Sequence, residues 1–146
     1  MRRFATVLLV LFALEGCSKP APPIGRWAGR YDAGGVLIDA RVEIGSNGEV
    51  RVSAPDLVNV TADTDDDRAA LHQRLAAELA DDWDAVEPRP MDYDGHVFRK
   101  PGGVAPQLIW DKDSGRMTMV VYIGNRPGMN ITLAPVADFD KDPWAG

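Results

Sequence analysis

The chain has 146 residues, enough for one domain and too few for several. Its 22 Asp and Glu outnumber its 16 Lys and Arg, a formal net charge of −6, which argues against nucleic acid or anionic head groups as partners. A single cysteine excludes an internal disulfide, so the fold must stand on its core alone.

The first stretch reads as an export signal. Arg2 and Arg3 are followed by an uninterrupted apolar run from Phe4 to Leu14, then Glu15-Gly16-Cys17. A basic start, an apolar middle and a small residue before the cut are the layout of a secretory signal. At about 1.5 Å per residue the run falls well short of a ~30 Å hydrocarbon core, so a membrane-spanning helix is a poor reading. Cys17 to Pro23 holds three prolines and reads as an extended tether reaching ~20 Å at about 3.1 Å per residue. The organisation expected is therefore a signal over 1–16, a tether over 17–23, one domain over 24–137 and a tail over 138–146.

Leu14, Gly16 and Cys17 resemble the lipobox of bacterial lipoproteins, with an aliphatic residue at −3, a small one at −1 and cysteine at +1. Position −2 holds Glu15, where that pattern prefers a small or aliphatic residue. The resemblance implies cleavage between Gly16 and Cys17, a diacylglycerol on the Cys17 sulfur and a fatty acyl chain such as palmitate on its amine. Two or more chains anchor stably, at about 0.8 kcal/mol per buried methylene. The partner implied is a membrane reached through that lipid, and the location a periplasm-facing cell envelope. Ser18 at +2, in place of aspartate, leans toward the outer membrane.

Within the domain, Trp27, Gly29 and Tyr31 alternate with Arg26, Ala28 and Arg30, a first strand over 25–32. Val36, Ile38, Ala40, Val42 and Ile44 alternate with Asp39, Arg41 and Glu43, the cleanest strand in the chain. Gly45-Ser46-Asn47-Gly48 carries the Asn-Gly signal of a hairpin, and 49–53 returns with Val50 and Val52 inward. Residues 57–61 read as a short further strand. The period then changes: Leu71, Leu75, Leu79 and Trp83 recur every fourth residue, an amphipathic helix over about 65–86. Asp63 or Thr64 can cap it, Asp65 to Asp67 suit its first turn, and Pro88 and Pro90 end it. Strands follow over 95–100, 107–111 and 116–123, the last apolar on both faces, as a strand covered on both sides would be. A turn over 125–128 leads to a last strand over 129–133.

The fold class expected is α+β: a mostly antiparallel sheet of about six to seven strands, with one long amphipathic helix between two hairpin regions. The Gly25-Arg26-Trp27 opening resembles the G-x-W start of calycin-type barrels such as lipocalins, which implies instead a β barrel able to carry a small apolar ligand.

Chemistry-bearing constellations are few. Asp63, Asp65 and Asp67 have calcium-loop spacing, but Arg68 and Arg74 stand where glycine and glutamate belong, so a helix cap explains them better. His72 and His96 are the only histidines and have no metal-ligand spacing. Asp92, Asp94 and His96 alternate as an acid/base cluster would, but a turn entering a strand explains them better. There is no nucleophile elbow, Walker loop or dinucleotide fingerprint. No catalytic residue, metal or cofactor is therefore expected. The candidate binding residues are the aromatics Trp27, Trp110, Tyr122 and Trp144. The reading that results is a non-enzymatic, lipid-anchored interaction module. Its rivals are a small apolar-ligand carrier and an inhibitor of a cationic hydrolase such as lysozyme.

Overall fold

The computed structural model describes residues 18–33, 36–53, 58–59 and 64–139. Its elements are β1 (Gly25–Ala33), β2 (Val36–Ile44), β3 (Val50–Ser53), β4 (Val58–Asn59), α1 (Asp65–Trp83), β5 (Asp92–Tyr93), β6 (Val97–Arg99), β7 (Pro106–Asp111), β8 (Arg116–Ile123) and β9 (Arg126–Val136). The strands form one antiparallel sheet in the order β3-β2-β1-β9-β8-β7-β6-β5, with β4 beside β3 on the edge of β2. The sheet curls into a half-barrel. Its two edges approach at one bridge, where Val50 and Arg89 exchange backbone hydrogen bonds of 2.9 Å in both directions.

The core fills the concave face. Ile38, Ala40, Val42 and Ile44 from β2 meet Met117 and Met119 from β8, Ile131 and Leu133 from β9, and Phe98, all buried in one cluster. Period-two alternation is what lets strands bury one face in this way. The β2–β3 hairpin turns as its Asn-Gly signal requires: Gly48 N–H donates to the Gly45 carbonyl at 2.9 Å, and Gly48 has a φ of +81°. First and last strands meet where β1 pairs with β9, Arg26 opposite Val136 and Ala28 opposite Ala134. One residue further on they come very close. A Cβ on Gly29 would stand 2.2 Å from the Thr132 carbonyl oxygen.

The expected α+β architecture is overturned. The two hairpin regions are not separate flanks of a helix; they join through β1 and β9 into a single curled sheet of nine strands. Nor is α1 the expected long amphipathic layer. Of its described side chains only Leu75 and Trp83 are buried, and Leu71 is half-buried. It lies over the convex side of β2, where Asp39 and Arg41 are buried at 1% and 7% exposure. The main core cluster is built without the helix, whose last turn instead places Trp83 in a small second cluster with Ala28 and Phe139, the two rings 4.7 Å apart. The helix starts at Asp65, as expected, but stops at Trp83, where the periodicity suggested about 86. Thr64 is the cap, its hydroxyl accepting the Asp67 N–H at 3.1 Å and donating to Asp67 Oδ2 at 2.7 Å.

Smaller differences have local causes. The expected turn over 125–128 is mostly strand. β9 begins at Arg126 because the reversal is made at Gly124, whose φ is +63°. Val52 is 38% exposed, since β3 is an edge strand that leaves the cover of the curl after Val50.

Candidate functional site

The four aromatic candidates do not converge. Trp27 and Trp110 meet edge to face, ring centroids 5.6 Å apart, and Trp27 Nε1–H donates to the Gly115 carbonyl at 3.1 Å. Trp27 is buried and Trp110 half-buried, so the pair closes the core beneath the β7–β8 turn. Tyr122 is at the other end of β8, its hydroxyl donating to the Pro106 carbonyl at 2.9 Å. Trp144 lies outside the described residues, as do Gly16, Cys17 and Asp63.

The acidic constellations are consumed by turns. Asp94 Oδ1 accepts the backbone N–H groups of His96 and Val97 at 3.0 and 2.8 Å, and Oδ2 accepts from Arg99 at 2.5 Å. These bonds, Arg99 first, hold its carboxyl far below the usual range, a state that stores no proton for acid catalysis. Asp92 accepts the Gly102 N–H at 3.0 Å. Asp111 accepts the Ser114 hydroxyl at 2.5 Å and the Asp113 N–H at 3.0 Å, which lowers its carboxyl too. Both clusters fasten hairpins. Among the described residues no group of three or more His, Cys, Asp or Glu is placed to hold a metal ion.

Sequence reasoning missed a charged layer under α1. Arg30 Nη1 donates to His72 Nδ1, and Arg68 pairs with Asp32. His72 Nε2 faces Asp32 Oδ2 at 3.5 Å, too far for a strong hydrogen bond. Arg51 donates to the Trp83 and Val86 carbonyls at 2.5 and 2.9 Å, with its guanidinium 4.5 Å above the Trp83 ring. The last turn of α1 has no basic side chain of its own, so Arg51 supplies the cation its C-terminus favours. The alternation of β2 gave one signal: Asp39, Arg41 and Glu43 mark a polar face, though not what covers it.

Two surface features remain. At one end of the half-barrel lie the β2–β3, β5–β6 and β7–β8 turns. There the tether borders a groove of about 340 Å³ lined by Lys19 to Pro22, Asn47 to Glu49, Pro90, Met91 and Tyr93. At the opposite end the β6–β7 loop and the β8–β9 turn expose Val104 at 90% and Ile123 at 56%, beside exposed Lys100 and Arg126. The Tyr122–Pro106 hydrogen bond ties these two loops together. Among the described residues, no helix is long and apolar enough to cross a membrane. No family model, curated protein or solved structure matches the chain.

Proposed function

We propose that the protein is a membrane-anchored lipoprotein of the bacterial cell envelope and acts as a binding module for another envelope protein. The anchor is the lipid expected on Cys17, and the module is the half-barrel. One observation carries the binding reading: Val104 and Ile123 are both exposed at the end away from the tether, in two loops joined by the Tyr122–Pro106 hydrogen bond that also carry exposed Lys100 and Arg126. Exposed apolar side chains in loops that also carry cations, on a chain otherwise rich in acid, suit an acidic partner surface with apolar contacts. The concave face does not favour the carrier reading, because Phe98, Leu108, Met117 and Ile131 fill it.

Two measurements test this. Labelled palmitate should enter the protein in growing bacteria and be lost in Cys17→Ser; no label in the unaltered protein refutes the anchor. A photo-crosslinking side chain at 104 should capture one acidic envelope protein, lost when Lys100 and Arg126 are changed to glutamate. An unchanged adduct, or none, refutes the binding surface.

A further inference from the structure

The tether is packed against the folded end of the domain. A Cβ on Gly48, in the β2–β3 turn, would stand 3.6 Å from Pro22 Cγ. A Cβ on Gly95, in the β5–β6 turn, would stand 3.3 Å from Pro20 Cγ. Both glycines have positive φ, +81° and +104°, so the turns offer bare backbone to the two prolines. Lys19 lines the same groove, which leaves Ser18 as the sole residue between it and Cys17. At about 3.5 Å per residue, Cys17 is then held within ~7 Å of the docked segment.

We infer that the tether is a strap, and that the end of the half-barrel bearing the 45–49, 94–96 and 111–115 turns is the face that lies on the lipid bilayer. This rests on the reading of Cys17 as lipidated. A free proline-rich spacer would let the domain sample all orientations; a docked one does not. Charge agrees with the placement. In these turns and the strap Glu49, Asp94, Asp111 and Asp113 stand with Lys19 and Lys112, and two further bases flank them: Arg99, which pairs with Asp94 at 2.5 Å, and Arg116 at the start of β8. Asp65, Asp66 and Asp67 stand at the helix start, which the Arg68–Asp32 pair holds toward the opposite end. The end turned to the membrane thus keeps only a small acidic excess and is spared the three helix-start aspartates, which lessens the repulsion an acidic protein meets at an anionic surface.

The test uses the mature protein purified from bacterial membranes, checked for lipid by mass and placed in nanodiscs whose lipid head groups carry gadolinium. Paramagnetic relaxation falls with the sixth power of distance. β1, nine residues long, separates the two ends by about 30 Å. The excess relaxation of the Asn47 and Asp113 amides should exceed that of Gly102 and Asn125 by at least about ten-fold. Pro20→Ser with Pro22→Ser should bring that ratio toward one while the chemical shifts of the sheet stay in place. A ratio near one in the unaltered lipoprotein overturns the strap. A mass without lipid defeats the lipoprotein reading instead. The same ratio, measured on the chain coupled through Cys17 to a maleimide lipid, then decides the strap by itself.

Discussion

Gly29 is where the first and last strands are forced together, and replacing it with alanine tests the closure of the sheet. The added Cβ would sit 2.2 Å from Thr132 O, 2.7 Å from Leu133 Cδ2 and 3.0 Å from Leu133 Cα. Two of those three atoms are backbone, so no rotamer change relieves them. β9 cannot simply retreat, because its residues from Arg126 to Leu133 are paired along β8. Relief therefore requires opening the β1–β9 seam by about 1 Å, at the spot where Leu133 is fully buried. Overpacking of this kind costs about 1–3 kcal/mol, and a backbone clash belongs at the upper end. For a domain of this size ~3 kcal/mol lowers Tm by roughly 10 °C. Gly124→Ala is the control. It has open space around it and a φ of +63°, so it should cost only about 1 kcal/mol of backbone strain. Urea unfolding followed by tryptophan fluorescence reads both. If Gly29→Ala unfolds at the same midpoint as the parent, or above Gly124→Ala, the tight seam is refuted.

Further outcomes follow from other contacts. Phe98 is fully buried and stacks on Tyr93 with centroids 4.3 Å apart, so Phe98→Ala should lose about 3–5 kcal/mol in the same urea assay. Arg51→Ala removes the cation that holds the end of α1; it should cost about 2 kcal/mol and speed amide exchange in α1 ahead of the sheet. Equal exchange rates throughout would remove Arg51 from that role. Asp94 and Asp111 have carboxyls lowered by folding, so each contributes stability that is present above the unfolded carboxylate pKa near ~4 and is lost as pH falls below it. The urea midpoint should fall on acidification from pH 5, and Asp94→Asn with Asp111→Asn should flatten that fall. An unchanged slope would contradict the assignment.

Strands were more legible in the sequence than their assembly. β2 was readable because Ile38 to Ile44 alternate without a break, and the β7–β8 hairpin because Asp111 to Gly115 carry turn chemistry. β5 has two residues and gives no periodic signal, and nothing local in β1 or β9 says that Arg26 faces Val136. The helix misled for a related reason. Its leucine spacing is real, but its contacts with the sheet include charge pairs to distant strands that no local pattern shows, Arg30 to His72 and Arg68 to Asp32, beside the packing of Trp83 on Ala28 and Phe139. Asp39 and Arg41 alternate with the apolar residues of β2 and are nonetheless buried, Arg41 with its guanidinium 5.3 Å from the centre of the Phe139 ring. Among the aromatic candidates, Trp27 and Trp110 meet within the core, a packing role their sequence already allowed. The exposed Val104 and Ile123 were missed because a lone apolar residue in a loop carries no pattern.

The pairing of β1 with β9 has a kinetic side. Half of that seam is made early in synthesis and half near the end, and the loop between them spans almost the whole domain. Contacts so distant in sequence form slowly, because their closure entropy is lost before any contact repays it. The sheet cannot complete its curl until β9 is present, so a nascent chain lacking that strand has no finished core to fold around. If the protein is exported as proposed, such an unfinished chain would suit passage through a membrane, because only the sequence through β9 can close the curl.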